Sequence, residues 1–135
     1  MSGNTAESPE MGFPGRDPRT PVSVTPQIDD ILSVAFDLNT RDLQVYHALL
    51  GRPNATTQEL AEIIGIDRSN VNRSLRRLGE LDLAHRRRRL LEGGGHCYVY
   101  TATEVEEARE LLQEGLDVWT ERARDELQGV LVPEP

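Results

Sequence analysis

The chain has 135 residues, 23 acidic against 15 basic, a formal charge of -8 and only 4% aromatic residues. That length suits one small domain with an appendage and excludes a second independent core. All 15 basic residues are Arg and none is Lys. Acidic excess without Lys points to a salt-rich cytosol, where bulk ions screen the self-repulsion of such a charge, and GC-rich coding is the alternative source of the missing Lys. The lone cysteine, Cys97, cannot form an internal disulfide, and no apolar stretch has the form of a secretory signal or approaches the roughly 18 residues of a membrane span. These features predict a cytoplasmic protein without membrane function.

Residues 1–24 contain Pro9, Pro14, Pro18 and Pro21 with Gly3, Gly12 and Gly15 and almost no periodic apolar residues, which predicts a disordered tail. Thr25-Pro26 predicts a helix start, with Thr as cap and Pro preset for the first helical position, and Ile28, Ile31, Leu32 and Ala35 supply one apolar face. A second helix follows Asn39-Thr40, carries Leu43, Val45, Tyr46, Leu49 and Leu50, and breaks at Gly51-Arg52-Pro53-Asn54. Thr56 and Glu59 have capping-box spacing ahead of Leu60, Ala61, Ile63 and Ile64. Gly65 ends this two-turn helix, Ile66 is expected to be buried in the turn, and Asp67 can cap a helix with Val71, Leu75 and Leu78 on its inner face.

From Leu83 the pattern becomes that of a β-hairpin, with Leu83–Leu91 and Cys97–Thr101 separated by Glu92-Gly93-Gly94-Gly95. Pairing across that connector sets Leu91 opposite His96. Thr103 and Glu106 then open a long helix whose apolar residues are Val105, Ala108, Leu112, Leu116, Trp119, Ala123, Leu127 and Val130. A stripe of that length exceeds what one small domain needs and predicts a partner helix. The order is that of a winged helix-turn-helix, a mainly α fold of the α+β class with a two-stranded β-wing and a long C-terminal dimerisation helix. The expected organisation is a tail at 1–24, a DNA-binding domain at 25–102 and a dimerisation helix at 103–131.

The segments "QVYHALL", "ELAEIIGIDRSNVNRSLRRL" and "YVYTAT" give residues 38–103 a sequence that resembles the winged-helix domain of archaeal TrmB-type and MarR-type transcription regulators, with a haloarchaeal cast from the composition. The resemblance implies a sequence-specific regulator that binds duplex DNA as a homodimer. Asp82 stands where the family usually has Gly, which is tolerable because Asp enters the left-handed backbone region more readily than most residues. Only 33 residues follow Ala102, whereas TrmB-type proteins carry a large sugar-binding domain there, so sugar sensing is not carried over.

The residues argue for DNA independently of the family. With Val71, Leu75 and Leu78 inward at 100° per residue, Ser69, Asn72, Arg73 and Arg76 fall on the opposite face, and these side-chain types hydrogen-bond base edges. Arg68, Ser69 and Asn70 are expected to offer backbone N–H groups to phosphate. Residues 67–101 hold eight Arg (Arg68, Arg73, Arg76, Arg77, Arg86, Arg87, Arg88, Arg89) against four acidic residues, a net +4, while residues 1–66 carry -5 and 102–135 carry -7. A basic patch on an acidic body is the footprint of a nucleic-acid binder. Strand alternation sends two of Arg86–Arg89 to each face of the wing.

The dimerisation set is Val105, Leu112, Leu116, Trp119, Ala123 and Leu127. Cys97 reads as a small core residue, and the spacing of His85, His96 and Cys97 does not predict a metal site. No nucleophile–base pair or phosphate-binding Gly loop is present, so neither catalysis nor a cofactor is expected. The competing reading is a winged-helix module of the transcription machinery that docks proteins and has no operator of its own. The sequence names no effector.

Overall fold

The computed structural model describes residues 25–131, and the expected tail at 1–24 lies outside them. Among the described residues, five helices and one hairpin occur in the order α1 (Ile28–Phe36), α2 (Thr40–Gly51), α3 (Thr57–Ile64), α4 (Arg68–Glu80), β1 (Ala84–Leu90), β2 (His96–Ala102) and α5 (Val105–Leu131). This is a mainly helical winged helix-turn-helix with a long C-terminal helix.

Local capping sets most helix starts. Asn39, Thr56 and Asp67 each accept from the backbone N–H three residues on, at 2.8, 3.1 and 2.9 Å, satisfying donors that the helix cannot. α1 begins two residues later than Pro26, because Asp30 reaches back to the Gln27 N–H at 2.8 Å and fixes the first turn there. α5 also departs from expectation. Glu104, not Thr103, accepts from the N–H groups of Glu106 and Glu107, while the Thr103 hydroxyl is drawn inward to Asp82 O and to His85 Nε2 at 2.9 Å. Gly65 closes α3 at φ 84°, and Asp82 takes φ 61° between α4 and the wing.

Leu32, Leu38, Val45, Leu49, Leu60, Val71, Leu75, Leu78 and Leu83 form one core with Tyr46 and Ala108. Burying each such Leu stabilises the fold by about 1.5–3 kcal/mol. Ile66 is partly buried against this core, as expected of the turn. Leu50 and Ile63 differ from expectation, being 47% and 52% exposed at the edges of their stripes. Gly115, unremarked in the sequence, marks the crossing of α1 and α5, where a Cβ would overlap the Phe36 ring.

The hairpin pairs one residue away from the expected register, with Leu90 opposite His96 and Arg86 opposite Tyr100. Leu91 N–H bonds to Gly95 O at 3.1 Å, so the turn is made by Glu92-Gly93-Gly94 with Gly94 at φ 95°. A three-residue turn ending in a left-handed Gly is a favoured hairpin closure, and the slip exchanges every cross-strand neighbour. The connector before α3 joins the sheet as well. Ala55 and Tyr100 exchange two backbone hydrogen bonds, at 3.0 and 2.7 Å.

Candidate nucleic-acid interface

α4 divides as its periodicity requires. Val71, Leu75 and Leu78 are buried, while Arg68, Ser69, Asn72, Arg73 and Arg76 are exposed. Several of the exposed groups are held in place. The Thr57 hydroxyl donates to Asn72 Oδ1 at 3.0 Å, and Arg73 Nη1 donates to Asn70 Oδ1 at 3.2 Å.

The N-terminus of α4 is less open to phosphate than its position suggests. Asp67 Oδ1 already takes the Asn70 N–H and the Ser69 hydroxyl, the latter at 3.0 Å. The Asn70 N–H, then the Ser69 hydroxyl, hold the Asp67 carboxyl below the usual carboxylate range. A standing negative charge there offsets the attraction that the helix dipole offers to an anion.

Arg77 departs from the other cations of α4. Its Nε donates to Asp42 Oδ2 at 2.7 Å and its Nη2 reaches Asp37 O. Asp42 is fully buried, and its Oδ1 also accepts the Ser74 hydroxyl at 2.7 Å. Ser74 Oγ in turn accepts from Arg41 Nε at 3.4 Å. This network clamps α4 to α2, and the local sequence around Asp42 and Ser74 does not announce it, because the partners lie 32 and 35 positions apart.

Arg86, Arg87, Arg88 and Arg89 are all exposed on β1. The register puts Arg86 and Arg88 on one face with Tyr98 and Tyr100, and Arg87 and Arg89 on the other with Cys97 and Val99. The first face turns toward α4. A cleft of about 830 Å³ between α4 and the wing is lined by Thr57, Arg68, Ser69, Asn72, Arg76, Arg86 and Tyr98. Arg87 is engaged elsewhere, its Nη2 donating to Asn54 Oδ1 at 3.1 Å.

A second concavity is formed by other elements. A groove of about 370 Å³ between α1, α2 and α5 is lined chiefly by Ile28, Ile31, Leu50, Val105, Leu112 and Leu116. Of the dimerisation set, Val105, Trp119 and Leu127 are 57%, 39% and 58% exposed, whereas Leu112, Leu116 and Ala123 are partly buried. Among the described residues no cluster of three or more His, Cys, Asp or Glu could hold a metal ion, and no helix is long and apolar enough to cross a membrane.

The family profile described as "Sugar-specific transcriptional regulator TrmB" matches residues 32–106, from α1 into α5. The chain belongs to the TrmB family. Two uncharacterised proteins of Methanocaldococcus jannaschii are similar to this TrmB-family chain. One is 29% identical over 91 residues, 67% of this chain and 69% of that protein. The other is 29% identical over 97 residues, 72% of this chain and 80% of that protein. A solved structure described as a possible transcriptional regulator from Methanosarcina mazei superposes with a TM-score of 0.68 at 26% identity, covering 82% of this chain and 94% of that one. The matched stretch is the winged helix itself, and the sugar specificity in the family's description is not assigned to these residues.

Proposed function

We propose that this TrmB-family regulator binds duplex DNA as a homodimer in the cytoplasm, with α4 in the major groove and the β1–β2 wing on the flanking backbone, and that it performs no catalytic step. One observation carries the reading: Arg68, Ser69, Asn72, Arg73 and Arg76 are exposed on α4 beside a wing that exposes four more arginines. Both elements lie in the net-positive segment of an acidic chain. Arg77, bound to Asp42, belongs to the scaffold rather than to the reading face. Ser69 and Asn70 contribute through their side chains more than through free N–H groups.

The groove beside α5 and the exposed Val105, Trp119 and Leu127 support a second copy of the chain as the partner of that helix. Two copies would set two α4 helices about 34 Å apart, one DNA turn, and so select an inverted repeat. Selection from a random duplex pool, followed by titration of the selected and scrambled duplexes, tests the reading. Arg73→Ala and Arg76→Ala are each expected to cost about 1–3 kcal/mol on the selected duplex and to relax preference at one or two base pairs. Unchanged preference in both variants overturns the assignment of α4.

A further inference from the structure

The two faces of the wing differ in more than direction. The Arg86 guanidinium carbon lies 4.3 Å from the centroid of the Tyr98 ring. These residues are diagonal neighbours across the hairpin, since Arg86 pairs with Tyr100 and Tyr98 with Arg88, and a diagonal pair is within reach of an aromatic and a long side chain. Tyr98 is itself braced edge-on by His96, with ring centroids 5.7 Å apart. Arg86 therefore sits over a supported ring and lines the same cleft as Arg68 and Arg76. Among the described residues none of these three arginines is in an ion pair.

Three exposed guanidinium groups with no acidic partner among the described residues line one cleft, and a run of phosphates is the partner that such a cleft fits. An Arg side chain gives up rotamer freedom when it takes a phosphate. One already laid on an aromatic face has lost part of that freedom before binding, which lowers the cost of association. Arg87 is held against Asn54 and is not among the residues that line the cleft.

Resting on the DNA-binding reading above, we propose that Arg86 is the wing's phosphate contact, that Tyr98 is the positioning residue that holds it, and that Arg87 braces the wing to the connector before α3. One DNA strand then runs along the cleft between α4 and the wing. The Tyr98 ring, not its hydroxyl, does the positioning.

The test uses the full chain and a mixed-sequence duplex of about 25 base pairs, titrated over a series of KCl concentrations, with melting curves to match the folded fraction of each variant. Arg86→Ala is expected to weaken binding about five- to tenfold on any sequence and to reduce the slope of log K against log salt by about 0.9. Arg87→Ala is expected to leave the slope unchanged. Tyr98→Leu is expected to weaken binding about threefold at an unchanged slope, and Tyr98→Phe to match the parent. The Tyr98→Leu effect is expected to vanish when Arg86 is already Ala, which a merely structural role for the ring would not produce.

If the parent binds and Arg76→Ala weakens it, yet Arg86→Ala keeps the parental slope, the inference fails while the DNA-binding reading stands. The same holds if Arg87→Ala lowers the slope as Arg86→Ala does, or if Tyr98→Leu acts equally in both backgrounds. A parent that binds no duplex at any salt overturns both.

Discussion

Asp42 is fully buried and accepts from Ser74, Arg77 and the Asn39 N–H. The sequence shows it only as the third residue of a capped helix, because its other partners lie 32 and 35 positions away. Asp42→Ala would strand the buried Ser74 hydroxyl without its acceptor and release Arg77, so a loss of about 3 kcal/mol is expected in urea unfolding. A loss too small to detect would show that the clamp between α2 and α4 is dispensable. The half-buried carboxylate of one capping box and one exposed cap respond to acid instead. Glu59, held low first by the Thr56 N–H, and Asp67, held low by Asn70 and Ser69, both have folded-state values below the ordinary carboxylate range. Each contribution is therefore complete above the unfolded value and drains away as pH falls through the folded one, below about pH 4. Helicity followed by circular dichroism is expected to decline over that window, and Asp67→Asn, which can still cap, to flatten the decline.

Elements whose ends depend on near neighbours were legible. Asn39, Thr56 and Asp67 cap where the sequence places them because donor and acceptor sit three residues apart. Thr103 does not cap α5 for the opposite reason, since Asp82 and His85, 21 and 18 residues away, compete for its hydroxyl. The hairpin pairs one residue away from expectation because the sequence shows three consecutive glycines and not which two of them take positive φ, Gly94 and Gly95. Alternation likewise told that Arg86–Arg89 split into two pairs, but only the packing of Tyr100 and Ala102 on the core decides which pair looks toward α4. For α5 the legible feature is the length of its stripe. Trp119→Asp on that stripe is expected to raise the dimer dissociation constant at least about a hundredfold, giving monomers in light scattering. A monomeric parent at micromolar concentration would refute the proposed partner. Gly115→Val, by contrast, is expected to push Phe36 off α5 and lower the melting temperature without touching the exposed stripe, because its Cβ would meet the Phe36 ring.

Across the whole molecule, the eight arginines of residues 67–101 stand against a formal charge of -8 for the chain. Salt then acts on two properties in opposite directions. It screens the self-repulsion of the acidic body, so the melting temperature is expected to rise from low to multimolar KCl, and it removes the gain from counterion release on DNA. A flat melting temperature would argue that the acidic excess has no part in adapting the protein to salt. The bridge between Ala55 and Tyr100 gives the wing an uneven character. At its base β2 has a neighbour on both sides, whereas nearer the turn it pairs with β1 alone. In hydrogen–deuterium exchange the Tyr100 amide is expected to be protected almost as long as the core helices, and the amides around Gly93 to exchange within the dead time. On the proposed DNA-binding reading, a wing anchored at the root and yielding at the tip would follow a groove of varying width while α4 keeps its place.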